Sequence, residues 1–199
     1  LCGSVTMEVT TQCDGTRGRT AGFFLPLYGT THCIYNSRKK SHTMFEFHRN
    51  ERARQLRPSL SRSWLLVRAN SSEEVFEEAF ESEADSIIID LEDGCPAEEK
   101  DAAREQVVRM LNSGVVAWVR INAITTEHWW KDVKALKNVK GLRGVMLATA
   151  EHATDIDRTA AELPPGTPII ALIESALGVH HSVDIARAIG TFRLAFGAG

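Results

Sequence analysis

The acids and the arginine best placed for chemistry in this 199-residue chain stand at the ends of apolar runs. Asp90-Leu91-Glu92-Asp93 closes the run that begins at Ser86, Arg120 and Asn122 close Val115–Ile121, and Glu174 directly follows Ile169-Ile170-Ala171-Leu172-Ile173. Side chains alternate along a strand, so Asp90 and Glu92 share one side and Leu91 takes the other. Carboxylates this crowded need cations, supplied by arginine or by a metal; the plain alternative is a strand end whose charge suits the next helix N-terminus. A guanidinium at a strand end suits two-pronged capture of a substrate carboxylate. A structural ion pair of Arg120 with Asp90 or Glu92 is compatible with that role, because a carboxylate can hold the arginine in place. An acid after a buried strand is costly unless paired or metal-bound. At Glu174 a hard oxygen ligand suits Mg²⁺, which takes one or two carboxylates and keeps water and substrate as its other ligands; an ion pair is the alternative.

The elements that must position these residues are regular from Ser63 onward. Apolar runs at Trp64–Val67, Ser86–Leu91, Val115–Ile121, Gly144–Leu147, Pro168–Ile173 and Phe192–Phe196 read as strands. They mostly do not alternate with polar residues, the pattern of strands buried on both faces of a parallel sheet. Amphipathic segments lie between them. Ser71 and Glu74 are spaced as a capping box ahead of Val75, Phe76, Ala79 and Phe80. Cys95-Pro96 places proline at the first position of a second helix. Val179, Val183 and Ala186 mark the apolar stripe of a fifth. Six strands alternating with five helices fit either an open doubly wound sheet or a (β/α)₈ barrel. No Gly-x-Gly-x-x-Gly turn follows the first strand, and polar residues gather after many strands, which a barrel would bring onto one rim. The expectation is α/β, a TIM barrel truncated after about six strands.

The first 56 residues differ from the rest. Residues 1–60 carry a net charge of +5 and residues 61–199 a net of −8. Cys2, Cys13 and Cys33 lie in the basic part and only Cys95 in the other, so no disulfide framework holds the larger part together. That usage suits a reducing, cytoplasmic setting. No sustained period runs through residues 1–56, and too little apolar surface is available there to offset ordering entropy. They read as a poorly ordered leader before a domain over 57–199. Phe23–Tyr28 after Arg17 and Arg19 is too short and Pro-broken for a good signal segment. The overall charge of −3 argues against a nucleic-acid binder, and no apolar run is long enough for a membrane span.

Taken in order, Ser63–Val67, Ser86–Gly94, Trp118–Asn122, Gly144–Leu147, Ala171–Ala176 and Phe196–Gly199 resemble the motifs of the HpcH/HpaI aldolase and citrate lyase β-subunit family. The resemblance runs from about Arg62 to Gly199. It implies a (β/α)₈ barrel and Mg²⁺-dependent carbon–carbon lyase or aldolase chemistry. The implied substrate is a 3-hydroxy acid or its CoA thioester, of the citryl-, malyl- or citramalyl-CoA kind, handled through a metal-stabilised 2-oxo acid enolate. Glu174 would be a metal ligand, Arg120, Gly197 and Ala198 would bind substrate, and Asp90, Glu92 and Asp93 would hold the arginine and the metal's waters. The catalytic acid or base and the second carboxylate ligand are expected beyond Gly199. The resemblance also implies a homo-oligomer, trimer or hexamer, when complete. Three positions depart from the family pattern: Ala148-Thr149 stands where Pro-Lys is usual, and Arg68 where proline is usual. A free-acid 2-oxo aldolase and a non-catalytic barrel with a binding role are the other readings. With strands missing, the 199-residue chain alone is expected to be weakly stable, prone to associate and without turnover.

Overall fold

Short runs of isoleucine, valine and leucine form six parallel strands in the computed structural model, which describes residues 56–197. The strands are β1 (Trp64–Arg68), β2 (Ser86–Asp90), β3 (Ala117–Ile121), β4 (Leu142–Leu147), β5 (Ile169–Ile173) and β6 (Thr191–Phe196). The helices are α1 (Glu73–Glu81), α2 (Lys100–Asn112), α3 (Glu127–Leu136), α4 (Ala153–Glu162), α5 (Ala176–His180) and α6 (Ser182–Arg187), with a 3₁₀ turn at Pro58–Leu60. The expected leader falls almost wholly outside the described residues, as does Ala198.

Sheet order follows chain order, β1-β2-β3-β4-β5-β6. A doubly wound sheet reverses its order partway and carries helices on both faces. Here one core joins Ile87, Ile89, Leu91, Val119, Ile121, Val145, Leu147, Ala171 and Ile173 to the apolar sides of the helices. A second, smaller core holds Trp64, Ile88, Trp118, Met146, Ile170, Leu172 and Ala195 and contains no helix residue. The strands therefore form the unclosed arc of a (β/α)₈ barrel, helices outside and a side-chain layer within.

This two-sided burial explains the near-continuous apolar runs. Odd-numbered residues of β2 and β3 face the helices and even-numbered ones face the inner layer. Each fully buried Ile, Leu or Val contributes roughly 1.5–3 kcal/mol. A one-residue slip would exchange the two sets and is excluded. Continuing the alternation puts Asp90 beyond Ile88, Arg120 beyond Trp118 and Glu174 beyond Leu172, all on the helix-free face at the carboxyl ends of their strands.

Three local expectations are corrected. The residue capping α1 is Ser72, and α1 begins at Glu73, so no Ser71–Glu74 box forms. Helix α2 begins at Lys100 rather than Pro96, after a turn over residues 97–99. The fifth helix breaks at His181 into α5 and α6. Its expected stripe faces outward, with Val179 and Val183 exposed and Ile185 buried instead. No helix among the described residues is long and apolar enough to cross a membrane.

Candidate active site

The site grows from the pairing of β2 with β3, which sets Asp90 beside Arg120. Asp90 is 1% exposed. Its Oδ1 accepts from Arg120 Nε at 2.7 Å and from the Glu92 backbone N–H at 2.9 Å. Its Oδ2 accepts from Arg120 Nη2 at 2.7 Å and from the Gly94 N–H at 2.8 Å. The fork-on-fork pair and the two backbone donors occupy both carboxylate oxygens, so Asp90 is a fixed anchor. Glycine is required at 94: a Cβ there would lie 2.6 Å from Asp90 Oδ2.

The anchor leaves Arg120 Nη1 forward, 3.4 Å from Glu92 Oε2. Burial would lower the Arg120 pKa, but the Asp90 hydrogen bonds and the charges of Asp90, Glu92 and Glu174 outweigh it and raise it. Glu92 is half-buried. Desolvation pushes its pKa up against the pull of Arg120, with Asp93, Asp90 and Glu174 adding repulsion. Glu174 therefore lies close enough for both groups to feel its charge. Asp93 is exposed and reaches the cluster only through its field on Glu92.

Glu174 itself is exposed rather than ion-paired. Its Oε1 accepts from the Thr149 backbone N–H at 2.8 Å and from Thr149 Oγ1 at 2.7 Å. Its Oε2 borders Gly197, where a Cβ would lie 3.3 Å away, and Gly197 is fixed by its N–H to the Ile173 carbonyl at 3.0 Å. Next along the rim, Ser175 Oγ donates to Glu151 Oε1 at 2.7 Å.

Behind the rim lies a polar chain that the sequence reading missed. The Lys100 ammonium is buried and donates to the Leu91 carbonyl at 2.7 Å, the Glu92 carbonyl at 2.6 Å and Asn122 Oδ1 at 2.9 Å. All three of its protons are used. Asn122 Nδ2 donates to Asp132 Oδ2 at 2.6 Å, and Asp132 Oδ1 accepts from Arg104 Nε at 2.9 Å. This chain fixes the loop that carries Glu92. Its one signal in the sequence is Lys100 and Arg104 falling in register with Ala103 and Val107 on an apolar stripe.

Among the described residues no three His, Cys, Asp or Glu side chains gather closely enough to hold a metal by themselves. Among the described residues Glu174 Oε2 accepts no hydrogen bond, which leaves one hard oxygen at an accessible rim. That donor fits one carboxylate arm of an Mg²⁺ site whose other ligands are water and substrate.

Residues 62–199 match the sequence profile of the HpcH/HpaI aldolase/citrate lyase family. The chain belongs to this family. It is 33% identical over 126 residues to a (3S)-malyl-CoA thioesterase of Cereibacter sphaeroides, covering 61% of this chain and 44% of that protein. It is 39% identical over 120 residues to the citrate lyase subunit beta of Leuconostoc mesenteroides subsp. cremoris, covering 53% and 39%. Among solved structures it resembles CitE of Mycobacterium tuberculosis in complex with magnesium, acetoacetate and coenzyme A, at TM-score 0.58 and 33% identity over 68% of this chain and 48% of that one. The same enzyme with oxaloacetate and magnesium gives TM-score 0.59 over 68% and 57%. The chain spans about half the length of the curated relatives it matches. This HpcH/HpaI family member thus resembles CitE in fold, and its own strand order brings Asp90, Arg120 and Glu174 to one rim.

Proposed function

We propose that the protein is an Mg²⁺-dependent carbon–carbon lyase of the citrate lyase β-subunit type, acting on a 3-hydroxy acid or its CoA thioester. The single observation that carries this reading is a cation and an anion presented separately on one rim. Arg120 is locked by Asp90, and Glu174 keeps one oxygen free. In this reading Arg120 holds the substrate carboxylate through Nη1 while Asp90 keeps the guanidinium plane from turning. Glu174 Oε2 and Gly197 face the opposite end of the same small acid; Ala198 is assigned to substrate binding from the sequence alone. Glu92, held by the Lys100 chain, borders the bound carboxylate and limits the substrate's approach; Asp93 adds to the rim's negative field. Bound Mg²⁺ would supply Lewis-acid stabilisation of negative charge on oxygen as the carbon–carbon bond breaks. The ligands named for the CitE complexes, magnesium with coenzyme A or small oxo acids, support the substrate class. The cytoplasmic setting rests on cysteine usage.

The relative named as a malyl-CoA thioesterase favours a second reading, hydrolysis of the thioester. One experiment separates them. Protein expressed from its complete coding region is incubated with Mg²⁺ and malyl-, citramalyl- or citryl-CoA. Acetyl- or another acyl-CoA released together with a 2-oxo acid is the expected result. Free CoA with the intact hydroxy acid would establish hydrolysis. Neither product from folded protein would remove both readings.

A further inference from the structure

The non-glycine residue with positive φ among the described residues is Thr149, at φ 47°. That region is disfavoured for a β-branched side chain and is held only where the surroundings impose it. Here they do. The N–H of Ala148 donates to the Ile121 carbonyl of β3 at 3.2 Å, while the N–H of Ala150 donates to the Leu172 carbonyl of β5 at 3.0 Å. The chain changes partner strand across a single residue, and both flanking alanines are fully buried. The residue between them is left with its N–H and its hydroxyl aimed the same way. Both meet the same atom, Glu174 Oε1, at 2.8 and 2.7 Å.

Two donors on one carboxylate oxygen fix the plane of the group and leave the other oxygen alone. Gly197 lies against that other oxygen without a Cβ, so among the described residues no side chain at this position covers it. We propose that Thr149 is a positioning residue that locks Glu174 Oε1 and so presents only Oε2 to a divalent cation. This rests on the reading of Glu174 as an Mg²⁺ ligand. Presentation of one oxygen has a chemical consequence. Mg²⁺ demands compact octahedral geometry, whereas Ca²⁺ readily takes both oxygens of a carboxylate. Thr149 therefore also sets the preference for the smaller ion, at a position where the family pattern has lysine.

The test is titration calorimetry of the full chain with Mg²⁺ alone and with Ca²⁺ alone, each variant's folding being followed by thermal melting. Thr149→Val keeps the shape and removes the hydroxyl. Mg²⁺ affinity should fall about tenfold, the low end for a lost partner of a metal ligand. Ca²⁺ affinity should fall less, so the Mg²⁺:Ca²⁺ ratio drops. Thr149→Ser should keep both affinities. Thr149→Gly relaxes the backbone and should melt no lower than wild type while losing Mg²⁺ affinity like Thr149→Val; this pair serves if Thr149→Val does not fold. A merely structural threonine would change melting and leave the ion ratio alone. If Thr149→Val and Thr149→Gly bind both ions like wild type while Glu174→Gln loses Mg²⁺, the positioning role is wrong and the ligand role stands. If wild type binds no Mg²⁺, or Glu174→Gln binds it unchanged, the ligand role fails and the proposal with it.

Discussion

Two arginines stand at opposite ends of the inner layer and are held in opposite ways. Arg193, at the amino end of β6, lies over the rings of Trp64 at 5.5 Å and Phe192 at 5.4 Å and donates to the Ser61 carbonyl at 3.1 Å. Trp64 and Phe192 pack in turn on Trp118, at 5.2 and 5.7 Å between ring centroids. Arg120, at the carboxyl end of β3, meets carboxylates instead of rings. An aromatic face attracts a cation over a broad area, so Arg193 packs at the floor of the arc with little demand on orientation. A carboxylate fork fixes one plane, so the Arg120 end holds its guanidinium in a set direction. The floor uses positive charge for packing; at the rim the charge is held in one direction, as the proposed ligand role requires.

The largest expected effect comes from removing each arginine in turn. Arg120→Ala leaves Asp90 buried without its cation and should cost about 3–5 kcal/mol in urea unfolding, with turnover lost. Arg193→Ala should cost only about 1 kcal/mol and leave kcat/KM near wild type. Equal costs for the two would erase the contrast. Arg120→Lys sharpens it: substrate KM should rise while Mg²⁺ affinity holds, because lysine cannot keep the two-pronged contact with Asp90 and also present a second nitrogen to substrate.

Next in size is Lys100→Met. It removes the donor to two loop carbonyls and to Asn122 and should cost about 2–3 kcal/mol. Amide exchange at Glu92 and Gly94 should speed up selectively, while amides around Trp64 and Phe192 at the floor stay protected. Uniform acceleration would mean that the chain supports the whole arc rather than the rim.

A smaller effect is expected for Gly197→Ala. The added Cβ would meet Glu174 Cβ at 3.1 Å and Oε2 at 3.3 Å. Mg²⁺ affinity should weaken by about threefold to tenfold, with melting little changed.

The smallest effect concerns pH. Because desolvation raises the Glu92 pKa, the folded protein binds that proton more tightly than the unfolded chain does. This contribution to stability is fully present below the ordinary glutamate value and is lost as pH rises through the folded value. Glu92→Gln should flatten that part of the stability curve, measured by chemical denaturation from pH 4 upward on the order of one unit at a time. An unchanged slope would show that Arg120 cancels the desolvation in full.

The sequence by itself determined the β/α alternation, the strand positions to within a few residues, and the shared side of Asp90 and Glu92. Those properties follow from local periodicity: side chains alternate along a strand whatever the strand pairs with. It also showed that acids and an arginine end consecutive strands. Only the tertiary structure decided how they are held. That Asp90 would take four donors depends on Gly94 folding back over it and on the register of β2 with β3. That Lys100 would be buried depends on carbonyls gathered from a neighbouring loop, which helical periodicity does not reveal. Which face of the fifth helical segment packs is likewise a tertiary outcome: Ile185 is buried while Val179 and Val183 stay exposed. The contact of Thr149 with Glu174 joins residues 25 apart through two strands that pair only in the sheet. Periodicity is written residue by residue, but partners across strands exist only once the sheet has formed.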